Sequence, residues 1–132
     1  MGSLEEAREL FYKDRYAVLS GIEIDEVGSD HVRCSMKLTE AHRNAYGGIM
    51  GGAIYTLADF AFAVASNYCK ERPTVSLTGQ ASFLSASKGS ILYADTRLIK
   101  DGRRNCFYEV VVSDDTGRDI ASVCFTGAHI ER

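Results

Sequence analysis

Residues 51–69 read GGAIYTLADFAFAVASNYC. Ile54, Leu57, Ala58, Ala61, Phe62 and Ala65 recur at the spacing of one helical stripe. The opposite face is apolar as well, through Ala53, Phe60, Ala63 and Val64. A helix apolar nearly all round must be covered on more than one side. It is not read as a bilayer span, because Asp59 interrupts it and the run falls short of the roughly 20 residues a membrane needs. The chain must therefore build something that wraps a long helix.

The flanking sequence supplies the wrapping. Gly21–Val27 and His31–Leu38 alternate with period two, so each has one wet face. Gly28-Ser29-Asp30 between them has turn chemistry. After Pro73, the segments 74–84, 91–100, 105–113 and 119–130 carry the β-branched and aromatic residues of strands. Asp101-Gly102 reads as the primed turn of a tight hairpin, and Asp115-Thr116-Gly117 as a second hairpin loop. Near the start, Ser3 and Glu6 form an S-x-x-E capping box, which predicts an amphipathic helix over about Leu4–Asp14. No repeat, linker or composition break appears, so 1–132 is read as a single domain. The class is α+β, a curved antiparallel β-sheet wrapped around a long central helix.

Composition narrows the partners. A net charge of −3 argues against a dedicated nucleic-acid binder, which needs a basic surface. Cys34, Cys69, Cys106 and Cys124 form no C-x-x-C pair, so a zinc site is not expected. They read as reduced thiols of a cytoplasmic protein, several of them buried as small hydrophobes. The acidic N-terminus, MGSLEEARELF, is unlike a basic secretion signal.

The entry to the apolar helix, NAYGGIMGG, holds four glycines. Gly-rich entry lets backbones pass closely, and a buried Asp can be satisfied by neighbouring hydroxyls; that is the structural reading. The functional reading starts from the first helical turn near Gly51. Its N–H groups lack intrahelical acceptors, and the macrodipole adds positive potential there. Glycines clear the approach, which makes an oxyanion or anion site. A carboxylate inside an apolar helix is costly unless paired or used, so Asp59 is a candidate base or nucleophile. Gly51 and Asp59 are eight residues apart, roughly 12 Å along one helix at 1.5 Å per residue. One carbonyl cannot meet both on the same helix. If they act together, the acid must come from a second, antiparallel copy in a two-fold dimer.

The same residues carry a resemblance. His42-x-Asn44-x-x-Gly47-x-x-Met50-Gly51-Gly52, followed by Leu57-Ala58-Asp59, resembles the signature of the hotdog-fold thioesterases of the phenylacetate-degradation (PaaI-like) type. Pro73-x-Val75-Ser76 and Phe83-Leu84-Ser85 resemble the segments that follow. The element order matches that fold along essentially the whole chain. The resemblance implies hydrolysis of an acyl-CoA thioester by a homo-oligomer, dimer or tetramer, with no cofactor. It implies that the Gly51 N–H polarises the thioester carbonyl. Asp59 of the opposing subunit would act as general base or nucleophile. Asn44 would orient the carbonyl or the water, and Ser76 would hold the water near the acid. His42, Met50 and Gly52 are assigned to the substrate-binding loop, His42 mainly to hold it. Met50 departs from the family, which usually has His there; Met cannot donate a hydrogen bond. A non-catalytic acyl-CoA-binding or regulatory protein is the alternative function.

Other constellations carry less. His31 and His129 read as surface residues near strand ends. There is no G-x-S-x-G elbow, no P-loop Lys-Ser/Thr, and no proline-rich dehydratase loop. Lys100, Arg103 and Arg104 cluster at a hairpin tip, where they meet either solvent or CoA phosphates. Thr74, Ser76, Thr78, Gln80 and Ser82 read as one polar strand face.

Overall fold

The computed structural model describes residues 2–29 and 31–131. Two short helices, α1 (Leu4–Phe11) and α2 (Arg15–Leu19), precede the hairpin of β1 (Ile22–Val27) and β2 (Val32–Lys37). A 3-10 turn (Glu40–His42) leads to the long helix α3 (Gly51–Asn67). Four strands complete the chain: β3 (Thr74–Phe83), β4 (Ile91–Asp101), β5 (Asn105–Asp114) and β6 (Asp119–His129). All strand pairs are antiparallel, in the order β1-β2-β4-β5-β6-β3. This is the hotdog fold, with the sheet curved around α3.

The core lies between α3 and the concave face of the sheet. Ile54, Leu57, Ala58, Ala61 and Val64 meet Met36, Leu92, Val110, Val112, Val123 and Phe125, all of them buried. Each such aliphatic or aromatic side chain contributes roughly 1.5–3 kcal/mol on burial. On its other side α3 is covered by α1, where the Phe60 ring meets Phe11 edge-on at 6.5 Å. A strip through Gly52, Tyr55, Thr56, Asp59 and Ala63 keeps partial exposure.

Several sequence expectations change in detail. The first helix stops at Phe11 rather than Asp14, and a separate helix runs from Arg15. The break frees the Tyr12 hydroxyl to accept from the Ile24 N–H at 3.2 Å. The capping box is present, with both Ser3–Glu6 bonds made. The long helix ends at Asn67; Tyr68 is extended, and Cys69 takes a left-handed φ of 57°. Asn67 ties that end to β3: its amide donates to the Thr74 carbonyl and its Oδ1 accepts from the Thr74 N–H. The β4–β5 hairpin tip is Arg103-Arg104, closed by the Gly102 N–H on the Asn105 carbonyl at 2.7 Å. Gly102 has no positive φ, so the tip is not the primed turn that Asp101-Gly102 predicts. His129 is not a surface residue. Its side chain is 9% exposed and bridges Thr74 and Asp101. Of the Gly28-Ser29-Asp30 turn, Asp30 lies outside the described residues, and the Gly28 N–H bonds the His31 carbonyl. The four thiols are unpaired; Cys34 and Cys106 are buried, Cys69 and Cys124 exposed.

The largest change concerns β3. Its pairing with β6 slips between Ser76 and Thr78, a bulge at Leu77. Directly paired residues share a face. Thr74, Ser76, Gly79, Ala81 and Phe83 pair with His129, Gly127, Phe125, Val123 and Ala121, on the helix side. Thr78, Gln80 and Ser82 therefore point to the opposite side from Ser76. The polar face read by strict alternation is split in two, because a bulge reverses the period-two count.

Close packing beneath β3 leaves no room at Gly127. A methyl there would stand 2.7 Å from Thr74 Cγ2, 2.9 Å from Cys106 Sγ and 3.0 Å from Phe62 Cζ. Gly127→Ala is expected to destabilise the fold by about 1–3 kcal/mol, measured by urea denaturation. An unchanged midpoint would show that these side chains give way freely.

Candidate active site

The loop before α3 is shaped by its own side chains. His42 is buried. Its Nδ1 accepts from the Thr39 N–H at 3.0 Å, and its Nε2 lies 2.7 Å from the Ser20 carbonyl. These partners place the proton on Nε2 of a neutral ring. The His42 carbonyl accepts from the Met50 N–H at 2.9 Å and brings the chain to the helix start. Asn44 Oδ1 accepts from the N–H groups of Tyr46 and Gly48, at 2.9 and 3.1 Å. Gly47, with φ of 87°, makes the tight turn that permits this.

Two sets of donors remain free. Among the described residues, no acceptor reaches the N–H groups of Gly51 and Gly52. Met50, at the N-cap position, supplies no side-chain cap and is itself exposed. The Asn44 Nδ2 group likewise makes no hydrogen bond within the described chain, with Oδ1 already engaged. Asn44, Gly48 and Gly51 line one cleft of about 470 Å³, with Ile54, Phe83 and the 84–87 segment on its other walls. Phe83 stands over the helix start, its Cζ 3.0 Å from where a Gly51 side chain would begin. Gly51 thus has a free N–H and also leaves the gap that admits this ring.

The far wall of that cleft depends on a residue the motif does not include. Asp114, 2% exposed, ends β5. Its Oδ2 accepts from Ser87 Oγ and the N–H groups of Lys88 and Gly89. Its Oδ1 accepts from Thr116 N–H and Oγ1 and from the Arg118 N–H. Burial opposes the charge, but the bonds from Thr116, Ser87, Lys88 and Arg118 overcome it and hold the carboxyl below the usual range. Asp114 therefore staples the loop after β3 to the β5–β6 turn. The turn residues around it were legible, but not which loop it would hold.

Asp59 lies two helical turns from Gly51, as the spacing requires. It is half-buried, and among the described residues no hydrogen-bond donor reaches it. Burial first, and the nearby Asp14 second, push its carboxyl above the ordinary value. A carboxylate without donors in a partly apolar setting holds its proton more tightly and is a stronger base once ionised. Its position on the helix row is set by its neighbours. Tyr55 reaches Gly79 of β3, and Phe62 packs by Gly127, opposite Ser76. Asp59 falls between them on that row, between the levels of Gly79 and Ser76. Gly51, Asn44 and Phe83 thus gather at one end of the helix–β3 seam, and Asp59 and Ser76 further along it.

Comparisons with known proteins give the family and the fold. Residues 46–121 match the model of the Thioesterase superfamily, which is more than half of the chain. Human acyl-coenzyme A thioesterase 13 is 32% identical over 108 residues, covering 79% of this chain and 76% of its own length. A Deinococcus radiodurans relative is 34% identical over 97 residues, 74% of this chain, and the match spans 66% of that protein's length. The Escherichia coli PaaI protein superposes with a TM-score of 0.83 at 21% identity, over 98% of this chain and 97% of that one. A Streptococcus pneumoniae thioesterase structure with coenzyme A superposes at 0.84, with 23% identity over 95% and 98% of the two chains. The fold, the glycine-led helix and the sequence match converge, and the chain belongs to the thioesterase superfamily.

Proposed function

We propose that the protein hydrolyses acyl-CoA thioesters in two composite sites of a homodimer. The carrying observation is the arrangement along the helix–β3 seam. Free donors at Gly51 and Asn44 gather near Phe83 at one end of the edge strand β3, and the candidate base Asp59 stands two helical turns from Gly51, too far for one carbonyl. That edge presents Val75, Leu77, Phe83 and Leu84, all exposed in the single chain. An uncovered edge with apolar side chains calls for a partner. A second copy related by two-fold symmetry supplies an identical strand, and its Asp59 and Ser76 come alongside Gly51 and Phe83.

The chemistry follows from the groups. The thioester carbonyl oxygen lies against the Gly51 N–H, with the Asn44 amide beside it. Asp59 of the second copy removes a proton from a water held by Ser76, and that water attacks the carbonyl carbon. Negative charge moves to the carbonyl oxygen, where the helix N-terminus stabilises it. The tetrahedral species collapses, the carbon–sulfur bond breaks, and CoA leaves as its thiolate. Attack by the Asp59 carboxylate itself, followed by hydrolysis of the mixed anhydride, uses the same geometry. Coenzyme A esters suit the site through the name of the human relative and the ligand of the pneumococcal neighbour. Four unpaired thiols fit a cytoplasmic enzyme. No helix among the described residues is long and apolar enough to cross a membrane.

The test is thiol release from short, long and aromatic acyl-CoAs. Turnover supports the reading, whereas saturable binding without thiol release would identify a binding protein. Complementation tests the sharing of sites. Gly51→Val and Asp59→Asn are each expected to be nearly inert. Refolded together at equal amounts, they should recover about a quarter of wild-type activity, because half the dimers are mixed and each mixed dimer holds one intact site. No recovery would place donors and base in the same subunit's site.

A further inference from the structure

We infer that Tyr55 lies on the two-fold axis of the dimer and, paired there with its own copy, forms a wall shared by both sites that limits the acyl group accepted. This rests on the composite-site reading above. The helix places the axis, and the edge strand accommodates it there. On α3, Tyr55 is midway between Gly51 and Asp59. If Gly51 of one copy faces Asp59 of the other, antiparallel helices bring residue 55 opposite itself. On the sheet, the Tyr55 hydroxyl reaches β3 at Gly79, where any side chain would run into it and into the Phe125 ring. Two β3 edges paired about Gly79 bring Ser76 of one copy, counted past the bulge at Leu77, opposite Ala81 of the other, on the helix-side face that also carries Phe83. Phe83 is the ring that stands over Gly51. Strands paired about Gly79 are therefore compatible with the axis that the helix places through Tyr55.

The consequence is chemical. Tyr55 is one helical turn, about 6 Å, from Gly51 and from Asp59 alike. A carbonyl held between Gly51 and the second copy's Asp59 therefore has a Tyr55 ring close on each side. The ring is anchored from below, tilted against Phe125 at 5.6 Å, which in turn stacks on Phe62 at 4.7 Å. Its hydroxyl has no hydrogen-bond partner among the described residues, and burial together with Asp59 pushes its pKa up, so it remains a neutral phenol. A rigid, aromatic, uncharged group beside the reacting carbonyl restricts the width of the acyl substituent.

Two readouts test this. Tyr55→Cys, in a chain with Cys69→Ser and Cys124→Ser, is treated with an oxidant or a short bismaleimide and run on a non-reducing gel. Covalent dimer is expected. Its absence in a dimeric protein, or crosslinking of the native chain through Cys124 on the outer sheet face instead, would overturn the axis. This readout needs no activity, so its failure is seen separately from failure of hydrolysis. Tyr55→Ala is then compared with Tyr55→Phe across linear, branched and aromatic acyl-CoAs. The kcat/KM ratio of bulky to short esters is expected to rise at least about tenfold in Tyr55→Ala and to stay near wild type in Tyr55→Phe. An unchanged ratio in Tyr55→Ala would remove the shared wall even if the crosslink forms.

Discussion

Replacing Asp59 with Asn is expected to lower thiol release by about two orders of magnitude or more, with the fold intact. Asn matches the shape of the side chain but cannot take a proton. The loss should fall on kcat and kcat/KM together, because the base acts in the transition state and contributes little to binding. The pH dependence gives an independent check. Burial and Asp14 raise the Asp59 carboxyl pKa, so the acid limb of the wild-type profile is expected above the ordinary Asp value of about 3.9. The sign for stability runs the other way. A carboxyl whose pKa is raised by folding holds its proton better in the folded chain, so ionising it as pH rises removes stability. Asp59→Asn escapes that cost. At neutral pH the variant should unfold at the same denaturant concentration as wild type or a higher one. An inactive variant that also unfolds early would mean that packing, not proton transfer, had been lost. Equal activity of the two proteins would remove Asp59 from the mechanism.

Asp114→Ala is expected to cost about 3–5 kcal/mol of stability. The residue is buried and collects bonds from Ser87, Lys88, Gly89, Thr116 and Arg118. Removing it leaves backbone donors in two segments without acceptors. Asp114→Asn should fall between, since an amide can accept on one side but presents N–H to donors on the other. Here the linkage sign is that of a depressed carboxyl pKa. The contribution is fully present above the unfolded value of about 3.9 and is lost as pH falls toward the folded value below it. The gap between wild type and variant, measured by denaturation at a series of pH values, should therefore close in acid. A gap that stays constant with pH would mean the charge contributes nothing. Because Ser87 lines the cleft, a folded Asp114→Asn should also bind acyl-CoA more weakly.

Much of the architecture is local information. Alternation in 22–27 and 32–37 and the apolar stripe of 51–67 are written within each segment, and each segment adopts the element its period favours. The glycines before the helix and the lone Asp59 could be singled out because both are unfavourable in an ordinary helix unless they do something. If Gly51 and Asp59 act together, counting residues along one helix also calls for a second copy. The roles of Asn44 and His42 are less visible. Asn44 Oδ1 builds the turn while Nδ2 stays free, and His42 is occupied on both nitrogens. Which atoms are occupied depends on loop closure, not on residue type.

What only the tertiary structure decided are matters of long-range pairing. That β3 crosses the sheet to pair with β6 and ends at an edge is set by partners about fifty residues away. The bulge at Leu77 sends Ser76 to the helix side and Thr78 away from it, and a strand's own alternation contains no sign of that slip. Asp114 looks like an ordinary turn residue until the loop at 87–89 folds onto it. Tyr55 is one more aromatic in an apolar helix until Gly79 arrives beneath its hydroxyl. Sequence alone determined the elements and the residue types they carry, because periodicity, capping and desolvation act within a few turns of chain. The register that sets which of those residues stand near one another is a property of contacts between distant segments, and it exists only once the sheet has closed around the helix.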